Sequence, residues 1–146
     1  MSFWKLFKRK EDKTPKNTRE KGFLGEDEAC LFLEKQGYFI LCRNFTSPCG
    51  EIDIIMRDDR YIAFVEVKTR EEGQGELYGR PAAAVTKEKQ RRIIKTAKFY
   101  KNPHKELIPR FDVVEVYKNS SQGRISYRFN HITSAFDLTS SGIKRY

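Results

Sequence analysis

Two neighbouring stretches constrain this chain most: GEIDIIMR at Gly50–Arg57 and YIAFVEVK at Tyr61–Lys68. Both have the β-branched, apolar composition of strands, and the turn signal Asp58-Asp59 between them predicts a hairpin. Yet each carries charge in its interior. On the first, Ile52, Ile54 and Met56 alternate onto one face. On the second, Ala63, Val65 and Val67 share one face, while Ile62, Phe64, Glu66 and Lys68 share the other. An even-length loop sets Asp53 opposite Phe64 and Glu51 opposite Glu66, so Glu51, Asp53, Glu66 and Lys68 project from one side.

Three carboxylates this close repel and raise one another's pKa values. Lys68 offsets part of that charge, and a divalent cation would offset more. A set of oxygen donors suits Mg²⁺ or Mn²⁺ and not Zn²⁺. The competing reading is a solvated sheet face with surface ion pairs, and the pattern alone leaves both open.

The rest of the chain alternates between helix and strand signals. Phe23–Gln36 predicts a helix that buries Ala29, Cys30 and Leu33 and stops at Gly37. Glu26 lies on that same apolar stripe, whereas Asp27 and Glu28 do not. A first-turn acid that favours the helix dipole is the plainer explanation for Glu26, but it does not account for the inward position. Tyr38–Phe45 predicts a strand, Ser47–Gly50 a turn, and residues 71–81, with their glycines and Pro81, a loop. Thr86–Lys101 predicts a helix with Ile93, Ile94, Ala97 and Tyr100 inward. Phe111–Tyr117 and Arg124–Phe129 predict strands joined by a turn at Asn119–Gly123. The order α-β-β-β-α-β-β implies an α/β domain, a mixed sheet with helices packed on it. Residues 1–22 are expected to be a basic, flexible arm, 23–138 the folded domain, and 139–146 a weakly ordered tail.

No run of about 18 apolar residues exists to cross a membrane, and no internal repeat is evident. Cys30, Cys42 and Cys49 are odd in number and lack C-x-x-C spacing, which argues against a disulfide framework or zinc site and for a reducing cytoplasm. His104 and His131 stand apart from any carboxylate motif and read as surface or loop residues. In the opening MSFWKLFKRK, Phe3, Leu6 and Phe7 fit either a mobile basic arm or a surface-seeking amphipathic helix.

The net charge of +9 is unevenly spread. Residues 1–22 carry +5 and residues 86–105 carry +7, while residues 23–85, which hold the carboxylates, carry −5. Basic flanks fit a polyanionic partner, and an acidic centre fits a cation bridging carboxylates to phosphates. On the second helix Lys87, Arg91, Lys95 and Lys98 recur at helical spacing, widened by Lys89 and Arg92. They fit a phosphate-tracking surface or an ordinary solvated helix face. Arg70 and Arg80 flank the glycine-rich loop and could clamp substrate. Tyr78 within it could stack on a base or pack locally.

GEIDII at Gly50–Ile55 and FVEVKTR at Phe64–Arg70 together resemble the YraN-type family of bacterial proteins. G-E-x-x-A at Gly25–Ala29, Gly37-Tyr38, Arg43-Asn44, Lys89 and RFDVV at Arg110–Val114 extend the resemblance over roughly residues 22–118. That family is similar to the restriction-endonuclease-like (PD-(D/E)XK) nucleases, including archaeal Holliday-junction resolvases. The resemblance implies an αβββαβ core with a mixed central β-sheet flanked by helices. It implies Asp53 as the motif's Asp, Glu66 as its second acid, Lys68 as its Lys and Glu26 as the helix acid. Ile52 stands where the motif often has Pro. It further implies Mg²⁺ or Mn²⁺ on Asp53, Glu66, the Val67 carbonyl and Glu26, with Lys68 orienting an attacking water. The reaction implied is phosphodiester hydrolysis in DNA, more than RNA, of branched or single-stranded form. A nucleic-acid-binding module with little or no cleavage is the alternative, because fold does not fix function. A homodimer is implied only by analogy with the resolvases.

Overall fold

The computed structural model describes residues 18–72 and 85–138, with side chains described over 25–72 and 85–138. The N-terminal arm, Tyr78, Arg80 and the tail after Leu138 lie outside the described residues. The elements are α1 (Thr18–Lys35), β1 (Phe39–Ser47), β2 (Gly50–Arg57), β3 (Tyr61–Glu71), α2 (Lys87–Ala97), β4 (Ile108–Ser121) and β5 (Arg124–Phe136). Helix α1 begins at Thr18, earlier than the expected Phe23, because the polar lead-in is helical although it has no apolar stripe.

The five strands form one sheet in the order β1-β2-β3-β4-β5. β1, β2 and β3 are a meander of antiparallel pairs. The chain then crosses through α2 and returns as β4, parallel to β3. A parallel pair needs such a crossover, whereas β4 and β5 close through a tight turn. Its central residues Gln122 and Gly123 have φ of 51° and 73°, the left-handed pair that short hairpins require.

Each helix covers one sheet face. Ala29, Cys30 and Leu33 of α1 pack on Ile54, Met56, Ala63, Val65, Val114 and Val116. Ile93 and Ile94 of α2 pack on Ile52, Ile55, Ile62, Phe64, Phe111 and Val113 on the other face. Thr86 caps α2, its side chain accepting the Lys89 amide at 3.1 Å. Phe64, Phe111 and Phe136 stack in sequence across β3, β4 and β5.

Two expectations need correction. The β2–β3 turn is centred on Asp59-Arg60, one residue later than expected: the Asp58 amide donates to the Tyr61 carbonyl at 3.1 Å, and Asp58 Oδ1 accepts the Arg60 and Tyr61 amides at 2.8 and 2.6 Å. Arg57 therefore pairs with Ile62 and Ile55 with Phe64, so Asp53 does not lie opposite Phe64. His131 is not a surface residue: it lies on β5 with its side chain 12% exposed, and its Nε2 is 2.8 Å from Asp112 Oδ2. Arg110 also binds Asp112, through Nε and an Nη, and the Ser134 amide donates to Asp112 Oδ1.

Candidate functional site

Ile52 belongs to the α2-side core, whereas Ile54 and Met56 belong to the α1-side core. A regular strand would place all three on one face. The partner strand does the same: Cys42 and Phe45, three residues apart, both pack on the α2 side. Arg43 pairs with Ile54 and Phe45 with Ile52, so Asn44 stands level with Asp53 at the step where both strands change face. Asn44 has φ 52°, a left-handed conformation that Asn tolerates better than most residues.

This switch gives Asp53 neighbours on both sides of the sheet. The β2–β3 ladder ends at Ile54 and Val65. Beyond it, the Val67 amide donates to Asp53 Oδ2 at 2.8 Å. Continuing the register by one residue brings Asp53 level with Glu66, so the acids adjoin directly. Glu66 is buried and faces α2, because Lys89 of that helix reaches its Oε1 at 3.6 Å. Lys68 reaches the same oxygen from its own strand at 3.4 Å.

Glu26 approaches from α1. That helix lies close to β3 because Gly25 has no side chain: a Cβ there would collide with Thr69 Oγ1. The Glu26 side chain lies beside Asn44 and Asp53, and its Oε2 is buried without a hydrogen-bond partner. Arg43, beside Glu26, is held by Asp27 at 2.7 Å.

The electrostatics follow from this crowding. Burial, then the charges of Glu66 and Glu26, push the Asp53 carboxyl up to about 8 against the Val67 amide and Lys89. Glu26 is raised chiefly by burial and by Glu51, opposed by Arg43. Asp53 is thus the acid of this cluster driven furthest toward its neutral form.

The structure thus brings Glu26, Asp53, Val67, Glu66 and Lys68 to one place and turns Lys89 inward to join them. Glu51 is exposed and, by the alternation from Ile52, points away from the α2 face, toward the side from which Glu26 approaches, and its charge raises the Glu26 carboxyl. Lys87, Arg91, Arg92 and Lys95 are on the exposed surface of α2, and Arg92 pairs with Glu88 at 2.6 Å. Sequence reasoning missed Asn44 as an organiser of the site. Its signal was Asn in the interior of a strand, where that residue is depleted.

Among the described residues, no group of three or more His, Cys, Asp or Glu could by itself hold a metal ion. A carboxylate pair is what Mg²⁺ ordinarily uses, since it keeps several waters and one or two protein carboxylates. The unpartnered Glu26 oxygen and the proton retained on Asp53 both mark a place short of positive charge. The all-oxygen donor set fits a hard divalent cation.

Residues 25–116 match the family described as uncharacterised protein family UPF0102. The chain belongs to that family. It is 42% identical over 120 residues to a UPF0102 protein of Clostridium botulinum (strain Loch Maree / Type A3), covering 80% of this chain and 94% of the relative. A UPF0102 protein of Caldicellulosiruptor saccharolyticus is 46% identical over 105 residues, 70% of this chain and 86% of the relative. One from Clostridium perfringens is 44% identical over 117 residues, 79% of this chain and 92% of the relative. The family match takes in every residue of the site, from Glu26 through Lys89, and ends on β4. The fold is that expected of a restriction-endonuclease-like core. No helix of the described residues is long and apolar enough to cross a membrane.

Proposed function

We propose that this UPF0102 protein is a metal-dependent endonuclease that hydrolyses phosphodiester bonds in DNA, on single-stranded or branched structures. The observation that carries this reading is the adjacency of Asp53 and Glu66 at the splayed end of β2 and β3, with Lys68 on the Glu66 carboxylate. Asp53, Glu66 and the Val67 carbonyl would hold Mg²⁺ or Mn²⁺, with Glu26 on its water shell. The cation, when bound, would supply a water of lowered pKa and stabilise negative charge on the phosphate oxygens.

The chain's own residues perform the rest. The Val67 amide fixes the Asp53 carboxylate in the gap between the strands. Asn44 and Asp53 orient Glu26. Lys68, about one-third exposed, has its ammonium at the site, where it can orient a water and offset charge on the phosphate. Lys89 offsets the second charge of the acid pair. The exposed basic residues of α2 dock the backbone nearby.

A second reading is a nucleic-acid-binding module without cleavage. The two lysines already on Glu66 favour it, because they neutralise that acid without a cation. The test is incubation of purified protein with duplex, single-stranded, flapped and four-way DNA in Mg²⁺, Mn²⁺ or EDTA. Hydrolysis predicts products in Mg²⁺ or Mn²⁺ that vanish in EDTA and in Asp53→Ala and Lys68→Ala. Salt-sensitive binding with no product would instead establish the binding module.

A further inference from the structure

Beyond the site, the α2-side face of the sheet continues as a polar surface across β3, β4 and β5. In register, Lys68 lies beside Glu115 and Arg70 beside Tyr117. On the next strand Glu115 lies beside Asn130, and Tyr117 beside Arg128. These residues share the face of Glu66, because Val113 packs on the α2 side whereas Val114 and Val116 pack on the α1 side.

Glu115 is the anomaly here. Its side chain is 3% exposed, between the buried Val114 and Val116 of β4. A buried carboxylate is costly unless partnered. Tyr117 donates its hydroxyl to Oε2 at 2.7 Å, and the Asn130 amide donates to the same oxygen at 3.3 Å. The other oxygen faces Arg70 Nε at 3.5 Å. That Nε is buried and makes no hydrogen bond, so Glu115 restrains Arg70 by charge alone and consumes none of its five donors. An arginine locked for structure alone would be expected to form the bidentate pair that Arg110 forms with Asp112. Arg128 continues the line: it stacks on the Tyr117 ring at 4.2 Å, its Nε lies 3.6 Å from Glu72 Oε1, and about half its side chain stays exposed.

Lys68 and Arg70 are separated by two residues along one strand face, about 7 Å, of the order of the spacing between successive phosphates of one strand. Arg128 lies a further two strands away, about 10 Å. We propose that the nucleic-acid backbone leaves the reacting centre across the sheet, along Lys68, Arg70 and Arg128 toward the β5 edge. Arg70 binds the phosphate next to the reacting one, and buried Glu115 is its positioning residue. The proposal rests on the nuclease reading of the site and names the path its substrate takes.

The test is the salt dependence of binding to single-stranded and four-way DNA, measured by anisotropy in Ca²⁺. Arg70→Ala and Arg128→Ala should each lower the slope of log K against log salt by about 0.7–0.9. Glu115→Gln should weaken binding severalfold, with no further loss in an Arg70→Ala background. Arg128→Ala changes a half-exposed residue and keeps the test open should Glu115→Gln fail to fold. Lys118→Ala makes the same charge change on the opposite sheet face and should leave the slope intact. Wild-type slopes in Arg70→Ala and Arg128→Ala overturn the track, as does an equal loss in Lys118→Ala. Wild-type binding without cleavage in Mg²⁺ overturns hydrolysis but leaves the track standing. A wild-type protein that binds neither DNA overturns both.

Discussion

Asp53 and Val67 meet where β2 and β3 stop pairing, the Asp53 carboxylate accepting at 2.8 Å an amide that would otherwise serve the strand ladder. One side chain thereby opens the sheet and takes up the gap. The cost is a carboxyl buried against Glu66 and Glu26, which pushes its pKa up to about 8.

Metal-free protein therefore retains a proton on Asp53 that a cation must displace. Mn²⁺ affinity should rise with pH from 6 to about 8 and level off above it, with proton release visible by calorimetry in buffers of different ionisation enthalpy. An affinity flat across that range would contradict the buried acid pair.

The same shift has a stability consequence. A carboxyl whose folded pKa lies above its unfolded value leaves the fold most stable below the unfolded pKa, near 4, and stability falls as pH rises through the folded value. Asp53→Asn removes that dependence. It should raise the metal-free melting temperature, more at pH 8 than at pH 5, by the equivalent of about 2 kcal/mol. A lower melting temperature at pH 8 would count against this assignment.

Asp112 behaves in the opposite sense. Burial raises its pKa, but bonds from His131, Arg110 and the Ser134 amide outweigh burial and hold it below the usual carboxylate value. Its contribution is present above the unfolded pKa and is lost as pH falls through the folded one. Asp112→Asn leaves Arg110 buried beside a neutral partner and should cost about 3–5 kcal/mol. Urea denaturation at pH 7 measures it, and the difference from wild type should shrink below pH 4.

Gly25 sets how closely α1 approaches β3. Gly25→Ala would drive its methyl into Thr69 Oγ1 and should destabilise by about 1–3 kcal/mol while moving Glu26 out of the site. Thr69→Ala in the same chain should recover most of that loss. A double variant no more stable than Gly25→Ala would show that the contact is not the cause.

Asn44 separates backbone from side-chain effects. Glycine accepts its left-handed φ, so Asn44→Gly should keep the fold while weakening Mn²⁺ binding through the lost Glu26 contact. Asn44→Val, β-branched at positive φ, should destabilise by about 1–3 kcal/mol. Equal stability of the two variants by thermal melts would remove the argument for a strained step.

Legibility followed locality. The alternation from Tyr61 to Lys68 is regular, and so the shared face of Phe64, Glu66 and Lys68 was readable. Glu26 was readable because its stripe is fixed by helical spacing to Ala29 and Leu33. The opposite packing of Ile52 and Ile54 was not, since it depends on the conformation of Asn44 on a different strand. The register was offset because the turn closes through the Asp58 side chain, which strand periodicity does not encode. His131, Glu115 and Arg128 took their roles from the parallel β3–β4 pair and from β5, contacts separated by long stretches of sequence. Periodicity carries no information about which strand lies beside which.

The most direct measurement is single-turnover cleavage of a labelled four-way or single-stranded DNA, prebound in Ca²⁺ and started by Mg²⁺ or Mn²⁺. Wild type should yield product, while Asp53→Asn binds within about threefold of wild type and loses about 10²–10³ in rate. A wild-type protein that binds without cutting, or an Asp53→Asn variant that cuts at the wild-type rate, would contradict the account.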